Sequence, residues 1–109
     1  MANTGIVHLT DESFDDAVAA GVILVDMWAP WCAPCLMQGP IVEKVAEAVG
    51  EKARVAKLDV DQAQAVAIRL GVQSIPTLIL FKDGDEVRRF VGLQSEGALV
   101  SAIGEALKV

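Results

Sequence analysis

Residues 22–35 read VILVDMWAPWCAPC, and this stretch decides the fold. Its first seven residues are apolar at every position except Asp26, a pattern typical of a strand buried on both faces in a largely parallel sheet. The two cysteines follow where a helix begins, and Pro34 suits the first turn of that helix. The stretch therefore predicts a buried strand, a loop and a helix start, the place where open α/β sheets carry their sites.

Helical and extended patterns alternate on both sides of this stretch. The helix that follows is predicted over 34–49, with Pro40 kinking it by removing the hydrogen bond to the Leu36 carbonyl. A tight turn at Asp83-Gly84 joins the last two strands. The other predicted elements are strands at 6–9, 54–60, 77–82 and 86–91 and helices at 11–20, 62–70 and 95–107. The order β-α-β-α-β-α-β-β-α predicts an α/β fold, a central mixed sheet of about five strands flanked by four helices.

Length and charge restrict the classes of function. The chain has 109 residues and no linker-like segment, so one domain over 1–109 is predicted. Its net charge is −6 and it has no Lys/Arg cluster, which disfavours nucleic acid and anionic membranes as partners. The longest uncharged stretch, 27–42, contains three prolines and is shorter than the ~20 apolar residues of a spanning helix. No basic residue precedes the first apolar run, so no signal peptide is predicted and the reducing cytoplasm is the expected location.

Cys32 and Cys35 are the only two cysteines of the chain. Cys32 lies just before the predicted helix, where backbone N–H groups and the helix dipole favour its thiolate. Pro34 has no N–H, which leaves the Cys35 N–H as the partner for the Cys32 sulfur. Cys35 lies one turn inside the helix and is expected to be more buried and to keep its proton. The pair thus predicts one activated nucleophile and one resolving thiol.

Other uses of the cysteine pair are less well supported. A zinc site needs a second Cys/His pair, and His8 is the only histidine, so no metal is expected. A covalent haem site needs histidine at position 36, which is leucine here. A structural disulfide across so short a loop contributes only about 2 kcal/mol on the chain-entropy model. Inert thiols are not typical of a proline-flanked helix start beside two tryptophans. The redox interpretation is therefore the strongest.

Asp26 and Lys57 are charged residues in strands that are otherwise apolar. One interpretation makes them a buried ion pair, or makes Lys57 an edge residue that reaches solvent. The other makes Asp26 a carboxylate whose pKa is raised by burial and which takes a proton from Cys35. Spacing alone favours neither interpretation.

With these residues in place, the chain resembles the thioredoxin family over essentially its whole length. Several spaced motifs in the right order are far more specific than a lone Cys-x-x-Cys. The matching segments are 25–35, Pro40, 56–61, 75–78, 81–84 and 91–92. The resemblance implies a thioredoxin fold and a general protein-disulfide reductase that acts by thiol–disulfide exchange.

The resemblance also implies a role for each matching position. Cys32 would attack and Cys35 resolve, while Asp26 would be the buried acid/base and Lys57 its charged neighbour. Ile75-Pro76 would carry a cis peptide bond, and the Ile75 backbone would pair with an extended substrate segment. The substrate-binding positions would be Trp31, Ala33, Pro34, Ile75, Pro76, Gly92 and Leu93, with Trp28 and Pro40 as structural support.

The resemblance also implies partners for this chain, and two alternative functions remain. Disulfide-containing proteins would be the substrates, and a thioredoxin reductase would restore the dithiol. The chain would bind no cofactor and would be a monomer. Ala33 stands where the family usually has glycine, and Leu36 where it usually has a cation, which leaves the redox potential open. A disulfide-forming oxidase or isomerase and a folded scaffold with an apolar rim are the two rival functions.

Overall fold

The computed structural model describes residues 5–108. Within this range the elements are β1 (Ile6–Leu9), α1 (Phe14–Val18), β2 (Val22–Trp28), α2 (Ala33–Val49), β3 (Arg54–Asp59), α3 (Gln64–Arg69), β4 (Thr77–Lys82), β5 (Asp85–Val91) and α4 (Glu96–Leu107), with a 3-10 turn at Gly50–Lys52. The predicted order of elements is confirmed. No helix within the described range is long and apolar enough to cross a membrane. The predicted lack of a signal peptide rests partly on residues 1–4, which lie outside that range.

The strands of the described chain form one mixed sheet in the order β1-β3-β2-β4-β5. β1, β3 and β2 run parallel, whereas β4 is antiparallel to β2 and β5 is antiparallel to β4. β2 is thus the central strand with neighbours on both sides, as its continuous apolar sequence predicts. Asp26 in β2 pairs with Lys57 of β3 on one side and with Leu78 of β4 on the other.

Two helices pack on each face of the sheet. Leu24 of β2 lies in a core with residues of α2 and α4, such as Val42 and Leu99. Val25 lies in the opposite core, which α1 and α3 cover. Because side chains alternate along a strand, Asp26 is on the same face as Leu24, the face covered by α2. This helix is capped by Cys32 and has Cys35 in its first turn, so the Asp26 side chain is on the side of the sheet that the cysteine-bearing helix covers.

Two helices begin later than predicted because hydrogen-bonded turns replace their first residues, and both also end one or two residues earlier. Before α1, the Thr10 N–H donates to Ser13 Oγ at 2.9 Å and the Ser13 N–H donates to Thr10 Oγ1 at 3.1 Å. Before α3, the Gln62 and Ala63 N–H groups both donate to the Asp59 carbonyl. In both places the backbone N–H groups are bonded within a local turn. The regular helix therefore begins later than the pattern of apolar residues predicts.

The predicted tight turn between β4 and β5 is present. Asp83 has a φ of +51° and Gly84 a φ of +90°, the two positive values that a two-residue hairpin of this hand requires. Asp83 also accepts a hydrogen bond from the Gly21 N–H at 2.8 Å through Oδ1. The hairpin is therefore tied to the residue that precedes β2, which fixes the central strand at its start.

Candidate active site

Cys32 and Cys35 form a disulfide at the start of α2, with Cα atoms 5.2 Å apart. Cys32 has an extended backbone and caps the helix, and its Sγ accepts a hydrogen bond from the Cys35 N–H at 3.2 Å. Cys32 is 5% exposed and Cys35 1%, the predicted order. An N–H directed at Sγ favours negative charge on that sulfur. The geometry therefore fits an attacking Cys32 and a resolving Cys35.

The loop before β4 brings Ile75 against the disulfide, although it lies 43 residues from Cys32. The Ile75 carbonyl oxygen is 3.7 Å from Cys32 Sγ. The Ile75–Pro76 peptide bond is cis, as the family resemblance implies. Ile75 also packs on the small cluster formed by Ala29 and the two cysteines. A backbone edge thus lies directly beside the sulfur.

Large apolar side chains that flank the cysteines in sequence, or that were predicted for the rim, are exposed. Trp31 is 69% exposed, and its Nε1 donates to Asp61 Oδ2 at 2.8 Å, which orients the indole. Leu93 is 45% exposed and Leu36 56%. Ordinary core packing does not account for such exposure. The other predicted rim residues, Ala33, Pro34, Ile75 and Gly92, are exposed or half-buried, and Pro76 beneath them is buried.

A shallow groove runs along one side of this rim. It has a volume of about 140 Å³, and its lining is mostly apolar. The lining residues are Trp31, Val60, Val72, Gln73, Ser74 and Ile75. The groove therefore connects the exposed indole to the residue whose carbonyl faces the Cys32 sulfur.

Asp26 is completely buried, and neither of its carboxylate oxygens has a hydrogen-bond partner. Burial raises the pKa of Asp26 from 3.8 to about 7, and the positive charge of Lys57 partly opposes that rise. An unpartnered buried carboxylate is costly to ionise and is unusual in a structural role. A pKa near neutrality suits a group that accepts and returns a proton at physiological pH.

The structure places Lys57 beside Trp28, and Lys57 makes no hydrogen bond to Asp26. Its ammonium lies over the Trp28 ring, 4.3 Å from the centroid. On the α2 side it is close to Gly39, where an added Cβ would be 3.6 Å from Nζ. The interpretation of Lys57 as an edge residue was wrong, because β3 is an interior strand between β1 and β2. The other interpretation, a buried ion pair, holds only as an electrostatic interaction without a hydrogen bond. Lys57 acts on Asp26 through its charge.

Replacing Lys57 by methionine is expected to raise the pKa of Asp26 further above about 7, because the positive charge that opposes the effect of burial is removed. The measurement is an NMR titration of the Asp26 carboxyl carbon in the disulfide form. Lys44→Met, at an exposed lysine of α2, is the matched control and should leave the titration unchanged. An Asp26 titration that stays in place or moves to lower pH in Lys57→Met would contradict this electrostatic role.

One residue of the site was missed by the sequence reasoning. Gln38 in α2 is completely buried, and its side-chain amide binds the backbone of Gln94. The available signal was a polar amide four residues before Val42, on the apolar stripe of the helix. The helix continues through the exposed Pro40, which lies just beyond Gln38.

A helix-start disulfide beside a cis-proline loop, on this five-stranded sheet, defines a thiol–disulfide oxidoreductase. The family model described as Thioredoxin matches residues 5–105. The chain belongs to the thioredoxin family. Proteins of this family use the active-site disulfide in place of a bound cofactor, and within residues 5–108 no group of His, Cys, Asp and Glu could hold a metal ion.

Individual relatives support this assignment. The chain is 43% identical to thioredoxin from Bacillus subtilis and 47% identical to that from Staphylococcus saprophyticus, each over 94% of this chain and 98% of the relative. Among solved structures, a mutant thioredoxin from Halobacterium salinarum is 40% identical, with a TM-score of 0.87 over 100% of this chain and 97% of the other. The thioredoxin fold implied by the sequence is thereby confirmed.

Proposed function

We propose that this chain is a general protein-disulfide reductase recycled by a thioredoxin reductase. The observation that carries the proposal is the Cys32 sulfur at the apolar rim, with the Cys35 N–H directed at it at 3.2 Å. Cys35 lies behind it at 1% exposure. The sulfur that is stabilised as a thiolate and belongs to the less buried residue is suited to attack, and the fully enclosed one is suited to resolve.

The reaction has two exchange steps. The Cys32 thiolate attacks one sulfur of a substrate disulfide, that S–S bond breaks, and the other substrate sulfur leaves as a thiolate and takes up a proton. Cys35 then gives its proton to the Asp26 carboxylate, and its thiolate attacks the Cys32 sulfur of the mixed disulfide. The second substrate thiolate is released. Two electrons have passed to the substrate, and the chain is left with its Cys32–Cys35 disulfide.

The surrounding residues serve these steps. Lys57 keeps the pKa of Asp26 low enough for the carboxylate to form near neutral pH, and Trp28 supports the Lys57 ammonium. The Ile75 backbone beside the sulfur pairs with an extended substrate segment. The apolar substrate-binding rim consists of Trp31, Ala33, Pro34, Ile75, Pro76, Gly92 and Leu93. Pro40 supports the helix that carries the cysteines.

The proposal extends to the setting of the reaction. The reductase supplies two electrons and two protons to restore the dithiol. The chain acts as a single domain over 1–109 and as a monomer, with one rim docking one substrate at a time. Its compartment is the cytoplasm, since a disulfide reductase works where a reducing supply is maintained.

A redox titration of the Cys32–Cys35 couple against glutathione and a reference dithiol tests the direction of the reaction. A reductase is expected to have a potential more negative than the about −200 to −230 mV of glutaredoxins. A potential near the about −120 mV of a strong disulfide-forming oxidant would overturn the reductase proposal and favour the oxidase. The result also measures the combined effect of Ala33 and Leu36.

A further inference from the structure

Gln38 joins the cysteine-bearing helix to a loop that lies 56 residues away. Its Nε2 donates to the Gln94 carbonyl at 3.0 Å, and its Oε1 accepts from the Gln94 N–H at 2.8 Å. One side-chain amide thus satisfies both backbone polar groups of a residue between β5 and α4. Apolar residues occupy the following positions on the same stripe, and they could not make either bond.

The segment 92–94 is held at both of its ends. At one end the Gly92 N–H donates to the Pro76 carbonyl at 2.8 Å, next to the Ile75 that faces the Cys32 sulfur. At the other end Gln94 is bound to Gln38, and the Gln94 Nε2 donates back to the Gly92 carbonyl at 3.3 Å. Leu93 lies between these anchors and is 45% exposed. The position of this exposed apolar side chain therefore depends on the bond to the Pro76 carbonyl and on the Gln38 amide.

We propose that Gln38 is a positioning residue for substrate binding, which rests on the proposed function. It holds the Gly92–Leu93 segment so that Leu93 meets an apolar side chain next to the substrate disulfide. An apolar residue at position 38 would fill the space but leave the Gln94 N–H and carbonyl without their partner. The loop would then change conformation so that water can bond to these two groups. The rim would then lose its shape, while the sulfur chemistry would be unchanged.

Gln38→Met, similar in size but without either bond, tests the proposal in the full chain. The KM for insulin, as the protein disulfide, is expected to rise about 5-fold with kcat unchanged, as for lost hydrogen bonds that fix a binding surface. The rate with a small aromatic disulfide, which does not need the rim, is expected to stay within about 2-fold. Amide hydrogen exchange of Gln94 should accelerate in the same variant.

Val45→Ala is the matched control, since it truncates a buried residue of the same helix, seven residues after Gln38. It should lower stability without changing the KM. An unchanged KM in Gln38→Met, an equal loss with both disulfides, or the same rise in Val45→Ala would each overturn the positioning role. If Gln38→Met does not fold, Gln94→Pro removes the loop N–H together with the Gln94 side chain, and Gln94→Ala, which removes only the side-chain bond to the Gly92 carbonyl, is its control. The insulin KM must then rise more in Gln94→Pro than in Gln94→Ala. A native chain that fails to reduce insulin would instead overturn the proposed function.

Discussion

Replacing Cys32 by serine is expected to abolish the reduction of insulin, leaving only the background rate of the dithiothreitol supplied as electron donor. The serine hydroxyl stays protonated near neutral pH and cannot form the mixed disulfide on which both exchange steps depend. The hydrogen bond that the Cys35 N–H directs at position 32 has no thiolate to stabilise in this variant. The measurement is the precipitation of reduced insulin, followed by light scattering with native and variant protein at equal concentration.

Cys35→Ser is the informative companion to this variant, because it keeps the attacking thiol and removes the resolving one. It should accumulate a stable mixed disulfide with the substrate through Cys32, visible by mass spectrometry as an adduct that dithiothreitol removes. If native protein and Cys32→Ser both run at the dithiothreitol background, the enzymatic interpretation fails and the scaffold alternative gains support. An adduct on Cys35 in Cys32→Ser, formed as fast as the Cys32 adduct, would contradict the assigned roles.

Replacing Asp26 by alanine is expected to stabilise the folded protein in alkaline solution and to slow turnover at neutral pH. Burial raises the pKa of Asp26 from 3.8 to about 7, so the folded state holds a proton that the unfolded state has lost. Native stability therefore falls as the pH rises from about 4 to about 7, by about 4 kcal/mol in total. The variant avoids this loss but leaves a small cavity, so the net gain is about 2 to 3 kcal/mol at pH 8.

Urea unfolding of the disulfide forms at pH 5 and pH 8 measures this difference. The advantage of Asp26→Ala should be small at pH 5 and large at pH 8, whereas Glu47→Ala, at an exposed carboxylate of α2, should stay within about 0.5 kcal/mol of the native protein at both. Equal differences at the two pH values would show that ionisation of Asp26 is not the cause. Turnover unchanged between pH 6 and 9 would count against its role as proton acceptor.

Most elements of the fold could be predicted because their signals are local. Strands β1, β2 and β4 have their predicted bounds, and Ser95 caps the last helix by accepting from the Ala98 N–H. The first and third helices were predicted too long, because the hydrogen bonds of Thr10, Ser13 and Asp59 compete with helix formation at their starts. Apolar periodicity does not report that competition.

The amino-acid sequence by itself determined the chemistry at the start of α2. Cys32 and the Cys35 N–H are three residues apart, so the bond between them follows from helix geometry alone. Only the tertiary structure decided that Asp26 has no hydrogen-bond partner and that Lys57 lies over Trp28. It likewise decided the contacts across 43 residues to Ile75 and across 56 residues to Gln94. Such contacts depend on how β3, β4 and the last loop pack around the helix, and no local pattern encodes those distances.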